Sequence, residues 1–155
     1  MENAIPPRGV YFEEFEVGTE TTSPGRTVTE ADVIAFAGLS GDYNQLHTDA
    51  EFAKGSPFGA RIAHGLLGLS MASGLASRIG LMEGTALAFM GLNWKFKAPI
   101  MIGDTVSLRI RVSKKREAAQ MGGGIVVLSM YLHNQHGEVV QEGSWTILVR
   151  SSPSA

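Results

Sequence analysis

The chain changes its hydrophobic period once, and that change limits its possible folds more than any other feature. From about Ala63 to Ile79 the residues are apolar nearly all round a helix, and Ile62 to Ser77 contains no Asp, Glu, Lys or Arg. A helix of that kind has to be covered on most sides. The stretch falls short of the ~20 residues that span a bilayer and is broken by Gly, Ser and His64, so it predicts a buried helix of a soluble protein. Beyond it the period drops to two. Thr105 to Ser113 puts Val106, Leu108, Ile110 and Val112 on one face and Ser107, Arg109, Arg111 and Ser113 on the other, the pattern of a half-buried strand. Leu92, Trp94 and Phe96 alternate with Asn93, Lys95 and Lys97. Ile125 to Leu132 and Val139 to Val149 flank the turn sequence Asn134-Gln135-His136-Gly137, which predicts a hairpin. A further strand is expected within Thr19 to Val28. Short connections favour antiparallel pairing, so the expected class is α+β, a long antiparallel sheet against one buried central helix. Gly65, Gly68, Ala72 and Ala76 give that helix a small-residue stripe that lets a sheet approach closely.

Two shorter helices precede it. Thr29-Glu30-Ala31-Asp32 has the form of a capping box with Asp at its third position, and Val33, Phe36 and Ala37 follow at helical spacing until Gly38 to Gly41. Thr48-Asp49-Ala50-Glu51 is a second such box, predicting a short helix that carries Phe52 and ends by Gly55-Ser56-Pro57. Asp42 to His47 is therefore expected to be a loop pinned at both ends. At 155 residues the chain fits a single domain, 1–155, with residues 1–7 and 151–155 expected to be disordered. A net charge of -2 excludes a strongly basic nucleic-acid surface, and no signal-peptide pattern opens the chain, so a cytoplasmic location is the default. The chain has no cysteine, which excludes disulfides, thiolate metal sites and a Cys nucleophile.

Chemistry can sit in two places. Asp42 and His47 set a carboxylate and an imidazole five positions apart in the expected loop, and such a pair can hold and polarise a water. The alternative is structural, since Asp and Asn serve turns and a His before a helix can satisfy backbone groups. The second place is Ala63-His64-Gly65, where the helix start offers N–H groups with no internal partner and Gly removes the side chain that would block them. That makes an oxyanion hole or, equally, a close packing contact. Metal is not expected, because no pair of histidines has the i, i+4 spacing with an intervening Glu. Gly122-Gly123-Gly124 leads into a strand, unlike a phosphate loop, and is expected to be a mobile turn or a bulge. Ser70, Ser73 and Ser77 lack a G-x-S-x-G elbow.

Taken in order, Phe36-Ala37-Gly38-Leu39-Ser40-Gly41-Asp42-Tyr43-Asn44-Gln45-Leu46-His47-Thr48-Asp49, then Arg61-Ile62-Ala63-His64-Gly65, then Phe96 to Asp104 resemble the MaoC-like dehydratases, among them the (R)-specific enoyl-CoA hydratases. The resemblance runs from about Tyr11 to Val149. It implies a hot-dog fold, an antiparallel sheet wrapped round a long central helix, assembled as a homodimer or higher homo-oligomer. It also implies hydration of trans-2-enoyl-CoA to (R)-3-hydroxyacyl-CoA, or the reverse, on a coenzyme A or acyl-carrier thioester and without metal or redox cofactor. By matching position Asp42 and His47 are the catalytic dyad and Gly65 the oxyanion donor. Asn44 orders the dyad loop, and Asn44, Ser73 and His64 are the expected substrate contacts. Gln45 departs from the family, which usually has Pro there. A hot-dog thioesterase and a non-catalytic acyl-CoA-binding module are the alternatives.

Overall fold

Capping residues decide where the helices begin. The computed structural model describes residues 9–153 of the chain. Helix α1 (Glu30–Ser40) starts at the predicted box: the Asp32 N–H donates to Thr29 Oγ1 at 3.1 Å, and the Thr29 N–H donates back to Asp32 Oδ2 at 2.9 Å. It stops at Gly41, whose φ of 76° is left-handed, a conformation open to Gly at little cost. The next segment corrects the expected loop. Asn44 caps a one-turn helix α2 (Gln45–Thr48), and Asp49, not Thr48, caps α3 (Ala50–Lys54) by accepting from the Phe52 N–H at 2.9 Å. The Thr48 hydroxyl instead donates back to the Tyr43 and Asn44 carbonyls, closing α2. Helix α4 (Gly65–Ile79) is the long buried one.

The strands are β1 (Glu20–Thr22), β2 (Arg26–Thr27), β3 (Ala86–Phe96), β4 (Thr105–Ala118), β5 (Gly123–His133) and β6 (Val139–Arg150). They form one antiparallel sheet in the order β1-β4-β5-β6-β3, with β2 also on β4, and β5 and β6 are the predicted hairpin. Leu67, Met71 and Leu75 of α4 bury against Leu108 and Ile110 of β4, Leu128 and Met130 of β5, and Ile147 of β6. Burying each such side chain is worth about 1.5–3 kcal/mol. This is the hot-dog arrangement. The small stripe behaves as expected: a Cβ on Gly65 would lie 2.8 Å from the Phe96 ring, and one on Gly68 would lie 2.3 Å from Gln141 Nε2.

Of the triple glycine, only Gly122 lies in a turn, with a left-handed φ of 83°. Gly123 and Gly124 open β5, and a Cβ on Gly124 would lie 2.2 Å from the Phe12 ring, so close packing is what requires Gly there. The tail is also more ordered than expected. The Ser151 N–H donates to the Gly122 carbonyl at 3.1 Å and the Ser152 N–H to Glu13 Oε2 at 2.9 Å. Residues 1–7, and residues 154 and 155 of the tail, lie outside the described residues.

Candidate active site

Helix α1 delivers Asp42 to the surface. The Asp42 N–H donates to Ser40 Oγ at 3.1 Å, and Asp42 Oδ1 accepts from the Asn44 N–H at 3.1 Å, so the carboxylate is oriented by its own turn and stays exposed. The Asn44 side chain looks the other way and accepts from the Leu46 N–H at 3.0 Å, capping α2. It orders the loop. Gln45, where the family favours Pro, is the first residue of α2, a position that suits Pro because its N–H has no intrahelical partner. The helix forms with Gln as well.

On α2, His47 is buried. Its Nδ1 lies 2.7 Å from the Ile62 carbonyl oxygen, which can only accept, so Nδ1 carries the proton. A neutral His47 then keeps its lone pair on Nε2. His64, 2% exposed, has Nε2 at 2.9 Å from the Asp42 carbonyl oxygen and by the same logic donates there. Its Nδ1 is buried without a partner. The two imidazoles stack with centroids 3.9 Å apart, and Phe36 packs against His64 at 4.9 Å. One donor atom each from Asp42, His47 and His64 lie within 4.8 Å of one another. The Asp42 and His47 side chains expected to act together are thus close in space, and His64, expected to be a substrate contact, is buried against them.

The segment from Ile62 to Gly65 separates this cluster from an apolar cleft of about 330 Å³ whose walls include Phe58, Ile62, Gly65, Phe96, Pro99 and Ile100. The Ala63 N–H donates to the Ile100 carbonyl at 2.8 Å, fixing the segment against the far wall. Gly65 is the first residue of α4 and lines the cleft, and the His64 side chain makes no cap bond, so the Gly65 N–H has no intrahelical partner. The positive end of the helix dipole adds to it. Ser73 is not gathered into the site: it sits on the exposed face of α4 and its hydroxyl donates to the Ser70 carbonyl at 2.8 Å. Two contributors escaped the sequence. The Ile62 carbonyl has no side-chain signature. Gln141 bonds the Gly65 carbonyl, and its signal was available, a polar residue on the same strand face as Trp145, Ile147 and Val149.

Fold and site together define a hot-dog protein with a carboxylate and two imidazoles gathered beside a helix N-terminus. A double hot-dog protein from Mycobacterium tuberculosis superposes with a TM-score of 0.79 at 20% identity, over 95% of this chain and 46% of its own, a likeness of fold. The family model described as "MaoC like domain" matches residues 14–130, and the chain belongs to that family. It is 33% identical over 145 residues to the (R)-specific enoyl-CoA hydratase of Rhodospirillum rubrum, covering 90% of this chain and 91% of that one. It is 39% identical over 115 residues to protein MaoC of Klebsiella aerogenes, covering 74% of this chain but only 34% of the relative, so it spans about a third of that protein's length. Among solved structures, the monoamine oxidase regulatory protein from Archaeoglobus fulgius has a TM-score of 0.87 and 36% identity, covering 94% of this chain and 97% of that one.

Proposed function

We propose that this chain hydrates trans-2-enoyl thioesters to (R)-3-hydroxyacyl thioesters, or catalyses the reverse dehydration. The observation that carries the proposal is the pairing of His47: the Ile62 carbonyl claims its Nδ1, leaving Nε2 with the lone pair, and the ring has a nitrogen within 4.8 Å of an Asp42 carboxylate oxygen. Water held between these groups gives a proton to one of them as its oxygen bonds to Cβ, and a proton is returned to Cα. Negative charge collects meanwhile on the thioester oxygen, and the Gly65 N–H, which has no intrahelical partner, is the donor proposed for it. Donors of this kind are worth about 2.7–4 kcal/mol in the transition state. The apolar cleft beside Gly65 suits an acyl or pantetheine chain. Nothing in this sequence of steps requires a metal or redox group. The thioester, of coenzyme A or an acyl carrier, is the substrate.

The same proposal includes a homodimer. β3 pairs with β6 and ends the strand order, and its side chains Leu87, Phe89, Met90 and Leu92 are exposed, Phe89 at 52%. A long apolar edge strand invites strand pairing, and a second copy of the chain is the occupant proposed here.

The test is the loss of enoyl absorbance when trans-2-butenoyl-CoA is mixed with the protein, run beside a thiol reagent. Absorbance loss without thiol release is expected, and it is abolished in Asp42→Asn. Thiol release would instead make the protein a thioesterase, and binding without either would make it an acyl-binding module.

A further inference from the structure

The aim of the Gly65 N–H depends on what holds a residue that has no side chain of its own. Gly is the least restrained residue in the backbone, so its orientation is set by its neighbours. Upstream, the Ala63 N–H is bonded to the Ile100 carbonyl, and the His64 ring is bonded to the Asp42 carbonyl. Downstream, the Gly68 N–H donates to the His64 carbonyl at 3.2 Å as the helix begins, and one side chain adds a tie from the sheet. Gln141 of β6, 2% exposed, donates from Nε2 to the Gly65 carbonyl at 3.0 Å and accepts at Oε1 from the Trp94 indole N–H at 2.9 Å.

This relay has only one orientation. An indole N–H can only donate and a carbonyl can only accept, so the residue between them must accept on one side and donate on the other. A side-chain amide does both. A carboxylate cannot donate to Gly65, and an apolar side chain would leave the half-buried Trp94 indole N–H without its acceptor and remove the tie between β6 and the first turn of α4. Gly68, one turn along α4, is what lets Gln141 reach across, because a Cβ there would overlap the amide. Phe96, the residue paired with Gln141 in the sheet, covers Gly65 from the same side.

We infer that Gln141 is a positioning residue for thioester activation: anchored on Trp94, it fixes the first turn of α4 so that the Gly65 N–H stays aimed at the substrate oxygen. The inference rests on the hydratase function proposed above. Displacements of an ångström at a reacting centre cost up to about 100-fold in rate, so loss of this bond should act on turnover more than on binding.

Gln141→Met, which keeps the volume, and Gln141→Glu, which keeps the acceptor for Trp94 and loses the donor for Gly65, test it. Each is assayed on trans-2-butenoyl-CoA. In the non-hydrating Asp42→Asn background, the infrared carbonyl stretch of the bound, carbonyl-labelled substrate reads the oxyanion contact directly. The expected result is a kcat lowered at least about tenfold, a KM changed less than about threefold, and a smaller red-shift of the bound carbonyl. Wild-type kcat with an unchanged carbonyl shift in either folded variant overturns the inference. So does failure of both variants to fold by circular dichroism, which would make the relay a support of the fold. Wild-type protein that hydrates no enoyl thioester would overturn the proposed function first, a result separable from these.

Discussion

The imidazole rings of His47 and His64 stack with centroids 3.9 Å apart and planes inclined by 27°. His64 therefore touches one member of the dyad through its face and the other through its edge, since its Nε2–H is bonded to the Asp42 carbonyl. It also directly precedes Gly65. One buried side chain thus links His47, Asp42 and Gly65. His64→Gln can still donate to Asp42 but removes the ring on which His47 rests. Turnover of an enoyl thioester is expected to fall about 10- to 100-fold, with KM much less affected, in steady-state hydration assays. An unchanged kcat would show that the stack positions nothing.

Asp42 and His47 should separate activity from stability in different ways. Asp42 is exposed and its carboxylate bonds only within its own turn, so Asn fits the same place, and Asp42→Asn should change stability by no more than about 0.5 kcal/mol. His47 is buried, and His47→Ala leaves the Ile62 carbonyl without its partner, a cost of about 1–3 kcal/mol. Both should lower turnover by about 100- to 10,000-fold, the usual weight of acid–base catalysis. Hydration rates together with urea unfolding check the pair, and substantial turnover in either variant would remove that residue from the mechanism.

What could be foreseen in the sequence follows from how local each signal is. The Thr29 capping box, the period-two strands and the apolar span of α4 are contacts within a few residues, and they appear where the pattern puts them. The Thr48 box failed because two adjacent residues competed for one cap: Asp49 took it, leaving the Thr48 hydroxyl to close α2. Helix α2 is one turn long, too short to show any period. The role of His64 depends on a carbonyl twenty-two positions away, and that of Gln141 on a helix start seventy-six positions away. Such partnerships leave no trace in spacing. Gln141 did leave one clue, a polar side chain where the strand pattern calls for an apolar one.

Two glycines of α4 should respond oppositely to the same change. Gly→Ala inside a helix gains about 1 kcal/mol from propensity and reduced unfolded-state freedom when there is room for the methyl. Gly74 faces solvent with nothing near its missing Cβ, so Gly74→Ala is expected to raise stability by about 0.5–1 kcal/mol. At Gly68 the Cβ would lie 2.3 Å from the Gln141 amide, which is held at both ends and cannot swing aside. Overpacking of this kind costs about 1–3 kcal/mol and outweighs the gain. Thermal unfolding of the two variants decides it, and stabilisation by both would mean that Gln141 is free to move.

Acid should loosen the helix that carries Asp42 to the site. Burial pushes the Asp32 carboxyl up, but its bonds with the Thr29 main chain and side chain, and the Arg26 guanidinium at 2.9 Å, outweigh this and hold it below the usual carboxylate range. Glu30, in the same first turn of α1, is also lowered, chiefly by its two-pronged bond to Arg61 at 2.7 and 2.8 Å. A carboxylate depressed in the folded state favours folding at every pH above its unfolded value, and that contribution disappears as pH falls through the folded value. The window therefore opens at the ordinary carboxylate range, about pH 4, and extends downward. Urea midpoints measured across it should fall less steeply in Asp32→Asn than in the wild type, while at neutral pH the variant is the less stable of the two. Parallel pH curves for variant and wild type would show that the cap contributes no charge-dependent stability to α1.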